Sequence, residues 1–193
     1  MIVLEDFDLP HEQGVFGAVR RHDVHTGIDF YCAPATKVRA FHGGVVTRIG
    51  PFTGPVAGTP WWKDTSFVAI YNERLYLTVL YGEVSAATEV EVGQRCSRGD
   101  CIGAVATVLK TDKGLPRTML HLECYRGNPF EDPEFQPKEW NLGEEQLAYL
   151  IDPASVIPEI YRLTWNPQWG HSMSTYSERT HDCLPDSARS VRS

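Results

Sequence analysis

Residues 21–30 read Arg21-His22-Asp23-Val24-His25-Thr26-Gly27-Ile28-Asp29-Phe30. This stretch places an imidazole at His25 and a carboxylate at Asp29, four residues apart, among β-branched, aromatic and glycine residues. Gly27 and the apolar residues after it favour a strand entered through a bend, in which residues of even spacing share a face. An imidazole and a carboxylate are two of the three protein ligands in a common kind of catalytic zinc site. The stretch therefore predicts β structure with two metal-ligand candidates on one face.

The candidate for a third ligand lies in residues 118–125, Thr118-Met119-Leu120-His121-Leu122-Glu123-Cys124-Tyr125. If this run is a strand, alternation puts Met119, His121, Glu123 and Tyr125 on one face and the intervening apolar residues on the other. His121 is then the third ligand candidate, although a lone histidine in an apolar strand is also typical of a hydrogen-bonded core residue. Glu123 either orients a ligand histidine from behind or forms an ordinary salt bridge.

Length and composition indicate one soluble folded domain. The chain has 193 residues, of which 42% are hydrophobic and 22% charged, and its formal net charge is −7. This acidic balance argues against duplex nucleic acid or an anionic membrane as the main partner, because both are bound largely through Lys and Arg. We see no export signal and no run of 18 apolar residues, so we expect a cytoplasmic protein, or one that is released by lysis or carried on a phage particle.

The order of short apolar runs and turn residues predicts an all-β fold, a small antiparallel barrel or sandwich with long loops. Strands are expected at residues 28–32, 37–41, 44–49, 66–71, 76–82 and 118–125, with glycine-rich tight turns in residues 90–105. A short C-terminal helix is expected at residues 143–151. We expect an extended N-terminal segment over residues 1–20, a single domain over residues 21–160, and a polar C-terminal tail over residues 161–193 that is mobile or ordered by an assembly partner.

Residues 51–65 contain three prolines and two glycines, and we expect them to leave the sheet as a long loop. The loop carries Trp61 and Trp62. Exposed indoles at such a place could stack on a ligand, and buried ones would pack back onto the sheet. The sequence leaves both interpretations open.

Several motifs in colinear order resemble one known family. The motifs are His25-Thr26-Gly27-Ile28-Asp29-Phe30, then residues 33–40, Gly44-Val45-Val46, Tyr81-Gly82-Glu83, residues 92–103 and Leu120-His121-Leu122-Glu123. Together they resemble the zinc endopeptidases of the lysostaphin and LytM type, which cut peptide cross-bridges of bacterial peptidoglycan. The run of motifs covers roughly residues 20–126 and is far more specific than any one of them.

The resemblance implies Zn²⁺ as cofactor, with His25, Asp29 and His121 as its ligands, and a Gly- or Ala-containing cell-wall peptide as substrate. It also implies two further histidines, and this chain has neither. The motif Tyr-x-His reads Tyr81-Gly82-Glu83 here, and the first histidine of the motif His-x-His is Met119.

These departures leave two functions open. In a zinc peptidase, Glu83 would be the base that takes the proton of the attacking water, and Trp61, Trp62 and Tyr81 would contact the substrate. Glu83 could equally pair with an arginine at the pocket edge. Met119 can supply neither a base nor a donor, so Tyr81, Arg117 or His42 would have to replace the missing histidine.

The alternative is an inactive zinc-binding structural or recognition module, for example a phage particle component, whose C-terminal tail docks on a neighbour. A third interpretation is a lipoyl or biotinyl carrier. The glycine pattern of residues 93–103, followed by Lys113, resembles the sequence of such a carrier.

Overall fold

The structure is a computed structural model that describes residues 7–8, 12–85, 89–111, 118–137 and 139–156. The C-terminal tail predicted for residues 161–193 lies outside these ranges, as do Lys113 of the carrier interpretation and Arg117. Within the described part of the chain, no helix is long and apolar enough to cross a membrane.

The described residues form an antiparallel β fold, which confirms the predicted fold class. Numbered along the chain, the strands are β1 (Phe7–Asp8), β2 (Asp23–Val24), β3 (Ile28–Cys32), β4 (Lys37–Arg39), β5 (Gly44–Thr53), β6 (Thr65–Asn72), β7 (Leu77–Val84), β8 (Arg95–Cys96), β9 (Cys101–Ala104), β10 (Met119–Arg126), β11 (Trp140–Asn141) and β12 (Leu150–Ile151). A single-turn helix, α1 (Pro153–Val156), follows β12.

One curled sheet of eight strands dominates this part of the chain. Its order is β1-β3-β10-β7-β6-β5-β8, and β12 pairs with the far end of β10. The strands β2 and β11 form one separate ribbon, and β4 and β9 form another. The strand that carries His121, β10, is therefore an interior strand of the large sheet, between β3 and β7.

Alternation along β10 divides its side chains as the sequence predicted. Leu120, Leu122 and Cys124 are buried in the main core cluster, against apolar side chains of β3, β5, β6 and β7. His121 and Glu123 point to the opposite face, where they hydrogen-bond to each other. On β3, Ile28 and Phe30 join the same core. One face of β3 and β10 is thus apolar core, and the other carries the polar side chains of interest.

The bounds predicted for the loop, residues 51–65, are wrong at both ends. β5 continues to Thr53 and β6 begins at Thr65, so only the residues between them leave the sheet. Pro51 lies within β5, opposite Ser66 of β6. Proline is tolerated there because β8 covers only the start of β5, at Gly44 and Val45, and the later part of the strand has a ladder partner on one side only.

The helix predicted for residues 143–151 is also misplaced. Those residues form turns and β12, because Leu150 pairs with Tyr125 at the end of β10. The short helix begins just after them, at Pro153, where the Asp152 carboxylate accepts a hydrogen bond from the backbone N–H of Ala154 at 2.9 Å.

Candidate metal centre

Two neighbouring strands bring Asp29 and His121 together. β3 and β10 are antiparallel, and Asp29 and His121 are direct cross-strand partners. Both side chains leave the sheet on the face opposite the apolar core. His25 joins them from the bend between β2 and β3. That bend needs Gly27, because a Cβ there would lie 2.3 Å from the carbonyl oxygen of Leu122 and 2.9 Å from the His121 ring.

Three atoms of these residues form a small triangle. Asp29 Oδ1 lies 2.8 Å from His121 Nδ1 and 3.1 Å from His25 Nε2, and the two ring nitrogens are 3.1 Å apart. In a tetrahedral zinc site with bonds of about 2.0–2.1 Å, neighbouring ligand atoms are about 3.3 Å apart. The triangle is therefore close to the size that a zinc ion requires, and the donor set of two imidazoles and one carboxylate suits zinc.

The outer hydrogen bonds fix which nitrogen of each histidine faces the triangle. His25 Nδ1 donates to the carbonyl oxygen of Val15 at 3.0 Å, and His121 Nε2 donates to Glu123 Oε1 at 3.0 Å. When both rings are neutral, their lone pairs therefore lie on His25 Nε2 and His121 Nδ1. Three acceptors then converge on one point, an arrangement that calls for a cation.

The protonation states of the three residues also indicate that a positive charge is required at this point. Burial would lower the pKa of His121, but hydrogen bonds to Asp29 and Glu123 raise this pKa to about 10. Burial lowers the pKa of His25, which favours its neutral form. Burial alone would raise the pKa of Asp29, but the hydrogen bond from His121 and the nearby His25 hold it well below its usual range. Without a metal, a proton on His121 supplies the positive charge, and metal binding would displace it.

Arg20 is the outer partner of Asp29. Its Nη2 donates to Asp29 Oδ2 at 2.5 Å, and its Nε and Nη2 both donate to the carbonyl oxygen of Gln13, at 3.0 and 2.8 Å. The bond to Oδ2 leaves Oδ1 as the oxygen that faces the histidines. Sequence analysis missed Arg20, and no spacing rule would have found it, because its contact depends on the path of residues 13–20 across the site.

Glu123 lies at the centre of a buried hydrogen-bond network behind His121. Besides the bond from His121, its Oε1 accepts one from Thr26 Oγ1 at 2.5 Å, and its Oε2 accepts one from the hydroxyl of Tyr125. Burial would raise the pKa of Glu123, but the hydrogen bonds and the His121 charge lower it below its ordinary value. Of the two interpretations of Glu123 from the sequence, the geometry supports orientation of a ligand histidine.

Glu83 lies in an irregular part of β7, beside the triangle. The β6–β7 register slips between Ser66 and Val68, and Glu83 has φ +60°, an uncommon value for a residue with a side chain. Its side chain is buried, and Oε2 has no hydrogen-bond partner within the described residues. Burial raises the pKa of Glu83 to about 8, with a further contribution from the charge of Asp29. No hydrogen bond to a ligand candidate fixes its direction.

The next residue along the site face is Met119, whose cross-strand partner is Tyr31 of β3. Tyr31 is two residues beyond Asp29 and therefore shares its face. Burial raises the pKa of Tyr31, and the charge of Asp29 raises it further. Sequence analysis missed Tyr31, although the alternation that linked His121 to Met119 could also have linked Asp29 to Tyr31.

The three residues predicted to contact substrate differ in their exposure. Trp61 is 63% exposed and Trp62 is half-buried, and the two indoles pack edge to face. Tyr81, in contrast, is 0% exposed within the main core, and its hydroxyl accepts a hydrogen bond from the backbone N–H of Phe41 at 2.8 Å. The structure therefore places Tyr81 out of reach of a substrate, because it lies on the core face of β7.

The three ligand candidates are themselves well shielded, with exposures of 1% for His25, 1% for Asp29 and 6% for His121. Phe52 contributes to this shield. Its ring lies 5.3 Å from the His121 ring and occupies the space beside Gly82, where a Cβ would come within 2.6 Å of it. Gly82 thus allows an aromatic side chain of β5 to pack against a metal-ligand candidate.

This fold and triangle define a class, that of antiparallel β domains built around a His-Asp-His group that could hold a metal ion. Comparison with known proteins identifies the family. The family model "Peptidase family M23" matches residues 23–133, more than half of the chain. The chain belongs to peptidase family M23. The same family includes the enzymes of the lysostaphin and LytM type that the motifs resemble.

Solved structures agree on the fold. The antimicrobial peptidase lysostaphin from Staphylococcus simulans matches with 13% identity and a TM-score of 0.55, over 90% of this chain and 55% of that one. CbpA from L. salivarius REN matches with 24% identity and a TM-score of 0.51, over 78% and 87%. LytU matches with 21% identity and a TM-score of 0.50, over 81% and 89%. The chain spans about half the length of lysostaphin. A search of curated proteins gave no match.

Proposed function

We propose that this chain is a zinc-dependent endopeptidase domain that hydrolyses Gly- or Ala-containing peptides of the bacterial cell wall. The single observation that carries this proposal is the triangle of Asp29 Oδ1, His25 Nε2 and His121 Nδ1, in which three acceptors converge without a donor among them once both histidines are neutral. Membership of family M23 supports the reaction class, and the likeness to lysostaphin supports the choice of substrate.

Bound zinc would polarise the peptide carbonyl and lower the pKa of the attacking water. A protein side chain carries out the proton transfers. Glu83 takes the proton of the water as the new C–O bond forms, and it returns a proton to the leaving amine as the C–N bond breaks. Burial raises the pKa of Glu83 above that of an exposed carboxylate, and a carboxylate with a raised pKa is suited to return a proton as well as to accept one. Its unpartnered Oε2 is the atom available for this transfer.

The loop between β5 and β6 would form one wall of the peptide site. Lys63 N–H donates to the carbonyl oxygen of Val108 at 2.9 Å, and Trp62 pairs with Leu109. The next bridge along that segment joins Thr107 to Thr118, beside Met119. The exposed indole of Trp61 is thus held near the end of β10 that carries the triangle, where it can pack on a bound peptide.

The test compares peptide cleavage and zinc content in matched variants. Zinc-loaded protein is incubated with purified peptidoglycan and with glycine-rich peptides, alongside His25→Ala, Glu83→Gln and the surface control Glu91→Gln. We expect His25→Ala to lose both zinc and cleavage, Glu83→Gln to lose cleavage with zinc retained, and Glu91→Gln to match the wild type. Cleavage that persists in both site variants would overturn the proposal.

A second candidate is a zinc-binding module without catalysis. It is favoured by Met119, which offers no donor on the site face, and by the low exposure of the three ligand candidates. A wild type that binds one zinc ion per chain and cleaves none of the peptides would support this candidate over the peptidase.

A further inference from the structure

Glu123 links two ligand candidates that lie on different elements. Its Oε1 accepts a hydrogen bond from His121 Nε2 at 3.0 Å and another from Thr26 Oγ1 at 2.5 Å. Thr26 directly follows His25 in the bend before β3, whereas His121 lies on β10. One carboxylate oxygen therefore joins the bend that carries His25 to the strand that carries His121, and a shift of this oxygen would disturb both imidazoles.

The other oxygen of Glu123 is bound by Tyr125. A carboxylate only accepts hydrogen bonds, so the Tyr125 hydroxyl is the donor to Oε2. Both residues are 2% exposed, and burial raises the pKa of the Tyr125 phenol well above its usual value, so the phenol keeps the proton that it donates. Because the last torsion of a glutamate side chain is soft, a partner that holds Oε2 also fixes the direction of Oε1.

The ring of Tyr125 is itself fixed by an aromatic cluster. It packs edge to face on Phe130 and Phe135, at centroid distances of 5.7 and 5.9 Å, and stacks on Tyr149 at 5.9 Å. These residues belong to the second core cluster, which lies beside the site. The hydroxyl of Tyr125 is therefore held in place by packing, and it can serve as a fixed anchor for Glu123.

We propose that Tyr125 is a positioning residue of the metal centre, which acts through Glu123 to hold the His121 ring in its ligating orientation. This inference rests on the zinc site of the proposed function. Without the hydroxyl, Oε2 loses its anchor, the carboxylate is free to turn, and its bonds to His121 and Thr26 are no longer held in place. Changes to outer partners of metal ligands lower metal affinity by about 10–100-fold, and Tyr125 lies one step further out.

The test compares zinc affinity in Tyr125→Phe, which removes only the hydroxyl, with that in the control Tyr149→Phe. Tyr149 belongs to the same aromatic cluster, and its ring stacks on that of Tyr125. Competition with a chromogenic chelator measures the affinity. We expect Tyr125→Phe to bind zinc about tenfold more weakly than the wild type, at the lower end of the range for outer partners, and Tyr149→Phe to match the wild type.

A double variant separates a role through Glu123 from a general loss of stability. Glu123→Ala removes the carboxylate, so Tyr125 then has no means of acting on His121. We expect Glu123→Ala/Tyr125→Phe to bind zinc as tightly as Glu123→Ala alone, because two residues that act in series do not have additive effects. If the tenfold loss recurs in the Glu123→Ala background, the role through Glu123 is overturned.

A second measurement depends neither on Glu123→Ala nor on turnover. In the zinc-loaded, ¹⁵N-labelled protein, the proton on His121 Nε2 reports directly on the bond to Glu123 by NMR. We expect this proton to exchange with water severalfold faster in Tyr125→Phe than in the wild type and Tyr149→Phe, because the bond opens more often. Equal exchange in the three proteins would overturn the positioning role.

The outcomes distinguish this inference from the function on which it rests. If the wild type binds zinc and cleaves peptide, and Tyr125→Phe binds zinc as tightly or more tightly, the role of Tyr125 is overturned and the peptidase stands. If the wild type binds zinc but cleaves nothing, the peptidase is overturned, and a tenfold loss of affinity in Tyr125→Phe supports the positioning role. A wild type without zinc overturns both.

Discussion

Asp29 and His121 are cross-strand partners on β3 and β10, and their Oδ1 and Nδ1 atoms lie 2.8 Å apart. This pairing fixes two ligand candidates through the register of the sheet rather than through a loop. His25 completes the set from the bend before β3, and each of the three residues has one outer partner that selects the atom facing the others.

Arg20→Met should lower the stability of the folded protein, whereas Arg21→Met should not. Arg20 binds Asp29 Oδ2, and its loss leaves a carboxylate oxygen buried without that partner. We expect Arg20→Met to lower the free energy of unfolding by about 1–3 kcal/mol, the usual cost of a lost hydrogen bond to a buried charged group. Arg21 is exposed and serves as the adjacent control. Urea denaturation of the metal-free proteins measures both, and equal midpoints would contradict the role of Arg20.

Glu123→Gln should reduce zinc affinity by about 10–100-fold, as changes to outer partners of metal ligands generally do. The glutamine keeps the shape of the side chain but removes the charge that favours the N–H on His121 Nε2. Zinc affinity is measured by competition with a chromogenic chelator. Glu144→Gln, at an exposed position, should leave the affinity unchanged. Equal affinities in all three proteins would show that Glu123 does not orient His121.

Gly27→Ala should destabilise the fold and displace the His121 ring. The new methyl group would lie 2.3 Å from the carbonyl oxygen of Leu122, which the sheet holds in place, so we expect a loss of about 3 kcal/mol. Gly43→Ala is the milder comparison, because its nearest contact is 3.2 Å. Thermal unfolding compares the two variants. A Gly27→Ala protein as stable as Gly43→Ala would contradict the close packing at the bend.

The stability of the metal-free protein should fall with rising pH because of Glu83. Its pKa is raised to about 8 in the folded state from 4.5, so between these values the folded chain keeps a proton that the unfolded chain has lost. The unfolded state then binds fewer protons, and stability decreases by up to about 1.4 kcal/mol per pH unit. Glu83→Gln removes this contribution, while His121, whose pKa is raised to about 10, contributes the same fall above about pH 6.5 in both proteins. Denaturation from pH 4 to pH 9 should therefore show that the free energy of unfolding of Glu83→Gln increases relative to that of the wild type as the pH rises. Parallel plots of the two free energies against pH would contradict a buried, protonated Glu83.

The sequence predicted the strands that carry the site, because alternation in β3 and β10 is strong and each has one apolar face. It placed His25, Asp29 and His121 in one group because the motifs that carry them resemble, in colinear order, those of one family. It failed where tertiary contacts override local signals. Pro51 continues a strand because that part of β5 has one neighbour only, and Tyr81 enters the core because it lies on the apolar face of β7.

The outer partners were harder to predict than the ligand candidates. Glu123 was predictable because it follows His121 by two residues on the same strand. Arg20 and the carbonyl oxygen of Val15 reach the site through residues 13–20, whose path no periodic pattern indicates.

The most direct test of the metal centre is a calorimetric zinc titration of the metal-free wild type, Asp29→Asn and Asp23→Asn. Asp29→Asn keeps the shape of the ligand and removes its charge, and Asp23, six residues earlier on β2, lies outside the triangle. We predict one zinc ion per chain for the wild type and Asp23→Asn, and for Asp29→Asn a loss of affinity greater than the roughly 100-fold upper range of an outer-partner change. A wild type that binds no stoichiometric zinc, or an Asp29→Asn variant that binds it as tightly, would contradict the assignment of this triangle as a metal site.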